Sequence, residues 1–148
     1  LLRLGEVDVD AVRTLLHGYG VRLEIVGNDE PIPGSYWGEP EAGLIGAIVF
    51  ARTDTPMHSL LHEACHLIVM PAERRTSVHT NATDSIAEED AACYLQIVLA
   101  DALSDVGSAR LMADMDAWGY TFRLGSTRAW FENDAADTHA WLNRRGLA

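Results

Sequence analysis

The five residues His62-Glu63-Ala64-Cys65-His66 constrain this chain more than any other feature. Two histidines four apart share one face of an α-helix, so both imidazoles can reach a single zinc ion. Glu63 then sits beside that ion and can take a proton from water. The spacing has this meaning only on a helix, and the flanking residues supply one. Asp54-Thr55-Pro56 offers Thr55 as N-cap with proline at the first helical position, and Pro71 ends the run, giving a helix of about four turns. Leu60, Leu61, Ala64, Leu67 and Ile68 make the rest of the segment apolar, which draws the two imidazoles toward a buried or cleft environment.

A hydrolytic zinc site takes three protein ligands and keeps one position open. The longer motif with Gly and His three and six residues past the second histidine is excluded, because Val69 and Ala72 stand there. His58 is excluded as well, since it lies eight residues from His66, about 12 Å along a helix axis. The remaining pool is Glu88-Glu89-Asp90 at the start of the next long helix. Glu88 shares a face with Ala91, Ala92, Leu95 and Leu99, the side expected to pack on the motif helix, and is the favoured third ligand. Glu89, aligned with Ala92, Cys93 and Gln96, is its main rival. Ser85-Ile86-Ala87-Glu88 also fits a capping box, which would occupy Glu88 at the helix terminus, although Asp84 can cap instead.

The remaining pattern predicts an α+β fold: a small β-sheet packed beside helices, with the motif helix and the following Glu-bearing helix forming a zincin-like zinc cleft. Asp8 to His17 reads as a helix closed by Gly18 and Gly20, and Val21 to Val26 as a strand. The Pro/Gly-rich stretch from 31 to 43 reads as a loop or irregular hairpin. Leu44 to Ala51 is expected to be one strand buried on both faces and running into the motif helix. The segment from 72 to 83 reads as a loop that forms a rim or lid. A helix from Ile86 to about Leu103, a shorter one to Trp118, an extended Tyr120 to Leu124 and a last helical stretch from Trp130 to Asn143 follow.

With 148 residues, the chain is expected to be one domain, 1–148, with a core of its own. Its 22 acidic residues against 11 basic ones, a formal charge of -11, argue against nucleic acid as a partner and would suit a basic substrate. The first residues lack the basic and apolar blocks of a secretory signal, and no run approaches a membrane span, so the expected location is cytoplasmic, with no membrane partner. Cys65 and Cys93 are too sparse for a disulfide framework and are expected to be core thiols.

The motif after a buried strand, followed by Glu88-x-x-Ala91-Ala92-x-Tyr94-Leu95 and the apolar Val98-Leu99, resembles the ImmA/IrrE-type metallopeptidases, which are gluzincin-like HExxH enzymes. The resemblance covers roughly residues 8 to 103. It implies Zn²⁺ as cofactor, His62, His66 and Glu88 as ligands, Glu63 as general base, and a protein or peptide substrate such as a transcriptional repressor. Two positions depart from the family pattern. Ala92 stands where the family has Asn, so a hydrogen bond that orients the site is missing or supplied elsewhere. Asp101 stands where Pro is usual, and the tail from Gly107 onward has no counterpart.

The expected function is therefore zinc-dependent hydrolysis of peptide bonds. The alternative is a zinc-containing or catalytically inactive module for protein interaction or regulation. An oxyanion donor would come from Tyr36, His79, Tyr120 or Arg123. Trp118, Trp130 and Trp141, with Tyr120, Phe122 and Phe131, are expected to anchor the terminal helices in the core, with an aromatic substrate groove as the less favoured reading.

Overall fold

The computed structural model describes residues 1–148 as an α+β fold with a small mixed sheet beside six helices. Helix α1 (Val9–His17) is capped by the Asp8 carboxylate, which accepts from the backbone of Asp10 and Ala11. Strand β1 (Arg22–Ile25) pairs in parallel with β3 (Ile48–Ala51), and β2 (Gly43–Ile45) pairs with β3 from the other side, antiparallel, giving the order β1-β3-β2.

The single strand expected over 44–51 is instead a hairpin. Ile45 pairs with Ile48, leaving Gly46 and Ala47 as a two-residue turn, and Gly46 takes the positive φ of 59° that such turns place on glycine. A run of Leu, Ile, Ala and Val around one glycine hid the reversal, because apolar continuity carries no information about direction. The preceding stretch lies against β2: Ser35 bridges Gly43, and a methyl group on Gly43 would stand 2.0 Å from the Pro33 carbonyl oxygen. This contact fixes the path of the loop that carries Tyr36, Trp37 and Glu41.

The chain leaves β3 into α2 (Met57–Val69), whose thirteen residues are all buried. Its start differs from the expected one. Pro56 occupies the cap position, while the Thr55 hydroxyl accepts from the Arg52 amide at 2.9 Å and so belongs to the turn before the helix. The segment expected to be a loop after Pro71 contains a 3-10 helix from Ala72 to Ser77 and then a bridge from His79 to Ile45. Helix α3 (Ile86–Ala100) packs closely on α2, with Ser85 as its cap, and the two form the walls of a cleft.

Helix α4 (Ser108–Trp118) packs against α2 and α3. The last expected helix is two, α5 (Thr127–Asn133) and α6 (Ala136–Arg144), of which α6 rests on α3. Residues 120–124 form no strand. Thirty-five buried apolar residues join in one cluster that runs from the N-terminal segment through α2 and α3 to Leu142 in α6. No helix is long and apolar enough to cross a membrane.

Candidate metal centre

Helix α2 turns His62, Glu63 and His66 toward the cleft, each less than a tenth exposed. Their Nε2 atoms lie 3.1 Å apart. Glu89 of α3 straddles the pair, with Oε1 at 2.8 Å from His62 Nε2 and Oε2 at 2.8 Å from His66 Nε2. Donors bound tetrahedrally to zinc at ordinary bond lengths stand about 3.3 Å from one another, within a few tenths of an ångström of these separations. The two imidazole nitrogens and one carboxylate are also the donor types that zinc takes in hydrolytic sites. The cluster is therefore geometrically compatible with Zn²⁺ coordination.

Burial works against a charge on His62, yet Tyr120, Cys93 and the Glu89 carboxylate around it raise its pKa well above the ordinary value. Burial equally opposes the charge on Glu89, but the hydrogen bonds from His62 and His66 prevail and hold its pKa far below the usual carboxylate range.

Glu88, the residue expected to meet the histidines, is committed elsewhere. Its two carboxylate oxygens receive both Nη groups of Arg74, each at 2.9 Å, in a bidentate pair with the 3-10 helix. Glu89 takes the place by the histidines that was expected of Glu88. The difference has a physical source: the apolar positions of α3 point to the Glu88 face, whereas the stripe at the cleft is Glu89, Cys93 and Gln96, spaced for one helix face. A polar stripe on an otherwise apolar helix was the signal that could have found it.

Gln96 is the member of that stripe the sequence reading missed. Its Nε2 donates to the His58 carbonyl at 3.1 Å, which orients the amide so that Oε1 faces His62 Nδ1 at 2.6 Å. His62 Nδ1 must then donate, leaving Nε2 to face the cluster. The orienting hydrogen bond absent at Ala92 is thus supplied one helical turn later. His66 Nδ1 is buried without a hydrogen-bond partner in the protein.

Scans against family models, curated proteins and solved structures found no match to this chain.

The set His62, Glu63, His66 and Glu89 is consistent with an HExxH fold of the gluzincin kind. Glu63 borders two cavities that meet at the cluster. One, of about 280 Å³, is lined by Tyr36, Trp37 and the polar segment from Thr80 to Asp84. The other, of about 300 Å³, is lined by Glu41, His58, Trp118 and Tyr120 among others. Burial pushes the Glu63 carboxyl up, against the opposing pull of His62 and His66. A carboxylate made more basic in this way is suited to accept and return a proton.

The other candidate residues separate clearly. His58 is buried on the wall of the second cavity, where Nδ1 lies 3.2 Å from the Tyr120 hydroxyl; burial, aided by His62, pushes its pKa down to about 4. Tyr36 and Tyr120 border the cavities, while Arg123 is tied to Asp134 and His79 Nδ1 lies 2.9 Å from the Thr80 hydroxyl. Cys65 and Cys93 are free buried thiols, both made less acidic by burial. Of the aromatics, Trp130 belongs to the core and Tyr120, Phe122, Phe131 and Trp141 pack against it, while Trp118, Tyr120 and Phe122 also line the second cavity.

Proposed function

We propose that this protein is a zinc-dependent metallopeptidase of the ImmA/IrrE-like type that hydrolyses peptide bonds, with a regulatory protein in the cytoplasm as its substrate. The observation that carries the reading is the convergence of His62, His66 and Glu89 at one point, with Glu63 beside them at the meeting of two cavities. His62, His66 and Glu89 would hold the ion. Zinc supplies Lewis acidity there, polarising a scissile carbonyl and acidifying water.

The chain's own groups do the rest. Gln96 holds His62 in the tautomer that presents Nε2, and Glu89 balances the charge from the facing helix. Glu63 accepts the proton released as water oxygen bonds to the carbonyl carbon. It returns that proton to the amide nitrogen as the carbon–nitrogen bond breaks, so the products are a carboxylic acid and an amine. The paired cavities give room for substrate on both sides of the cleaved bond.

The test compares zinc-loaded wild type with Glu63→Gln on a mixture of peptides, reading new termini by mass spectrometry and zinc by elemental analysis. Wild type should cleave, and the variant should keep its zinc while its rate falls at least about 100-fold. Absence of cleavage by zinc-loaded wild type, or equal cleavage by the variant, would overturn the proposal.

A further inference from the structure

The cavity on the Trp118 side holds an acidic group whose role the hydrolytic reading does not use. Glu41 is 8 % exposed, and its position is fixed from several directions. Ser35 Oγ donates to its carbonyl at 3.0 Å, the next amide, Ala42, donates to Ser59 Oγ of α2 at 3.0 Å, and Trp118 Nε1 donates to Glu41 Oε1 at 2.7 Å. The second carboxylate oxygen, Oε2, is buried with no hydrogen-bond partner. On the same cavity wall His58 Nε2 is likewise buried and unpartnered. An unmatched buried carboxylate oxygen is costly to the fold and calls for a partner.

The surroundings specify what that something is. Trp37, Trp118, His58 and Tyr120 form a chain of ring contacts, with Trp37 5.3 Å from Trp118, and Trp118 5.4 Å from Tyr120 between centroids. Aromatic faces beside a carboxylate attract cations through the ring quadrupole as well as by charge. No arginine or lysine lines the cavity, while Glu63, Glu89 and Asp90 add negative charge at its metal side. The chain as a whole carries a formal charge of -11.

We propose that this cavity receives a positively charged side chain, arginine or lysine, from the residue of the substrate next to the cleaved bond. The inference rests on the peptidase reading. The Glu41 carboxylate pairs with the cationic head, the aromatic rings cover its stem, and Glu41 is a specificity-determining residue. The position of Glu41 is set through both its backbone and Oε1 before any substrate arrives.

The test uses two probes of the same shape, N-acetyl-arginine amide and its neutral analogue N-acetyl-citrulline amide, titrated into zinc-loaded protein and followed by tryptophan fluorescence and calorimetry. Wild type should bind the arginine probe at least about tenfold more tightly than the citrulline probe. Glu41→Gln should abolish the discrimination while keeping zinc stoichiometry and melting temperature, because its Oε1 still accepts from Trp118. Equal binding of both probes by wild type, or discrimination that survives Glu41→Gln, would overturn the proposal. The wild-type comparison decides the matter even if the variant folds poorly. Because binding is read without cleavage, a protein that discriminates between the probes but cleaves no peptide refutes only the peptidase reading, and one that cleaves without discriminating refutes only this one.

Discussion

Gln96 Oε1 lies 2.6 Å from His62 Nδ1, and the same amide donates to the His58 carbonyl from its other end. The side chain therefore spans α2 and α3 and fixes one imidazole's tautomer. Gln96→Leu leaves His62 Nδ1 and the His58 carbonyl without their partner and should bind zinc about 10–100-fold more weakly, as measured by competition with a chromophoric chelator on protein whose fold is checked by circular dichroism. An unchanged affinity would show that the hydrogen bond is structural only.

Adjacent glutamates on α3 should respond in opposite ways. Glu89→Ala removes the carboxylate that meets both histidines and should eliminate stoichiometric zinc. Glu88→Ala breaks the pair with Arg74, which is half-exposed, so it should retain zinc and lose about 1 kcal/mol of stability or less in denaturant titration. Zinc loss in Glu88→Ala with retention in Glu89→Ala would reverse the assignment.

Zinc should stabilise the fold by mass action. At a free concentration about 100-fold above Kd the contribution is about 2.7 kcal/mol. For a chain of this length that corresponds to a rise in Tm of about 5–10 °C, reversed by a chelator. The increment should vanish in Glu89→Ala, and a rise of equal size in that variant would place the metal elsewhere.

The loop that carries Trp37 and Glu41 depends on close backbone contact at Gly43, where a Cβ would meet Pro33 O at 2.0 Å and Ser35 N at 2.5 Å. Gly43→Ala should cost about 1–3 kcal/mol in urea unfolding, as overpacking does. A change below about 0.5 kcal/mol would mean that the loop shifts freely off β2.

The motif helix, the α+β class and the approach of α3 to α2 were legible because each rests on local signals: a fixed spacing, a proline stop, long apolar periodicity. Three features were not. The β2–β3 reversal at Gly46 was masked by apolar residues on both sides, since burial does not report chain direction. The choice between Glu88 and Glu89 turned on Arg74, whose approach to α3 depends on the 3-10 helix and not on any spacing within α3. Glu41 lies 21 residues before His62 and 77 before Trp118 in sequence, so only the folded chain brings the three to one cavity.

Whether His62, His66 and Glu89 hold zinc is tested most directly by a crystal structure of the zinc-loaded protein with anomalous data at the zinc edge. One strong peak is expected about 2.0–2.2 Å from His62 Nε2, His66 Nε2 and a Glu89 carboxylate oxygen, with Glu88 still paired to Arg74. A peak coordinated by Glu88, or none between the two histidines, would contradict it.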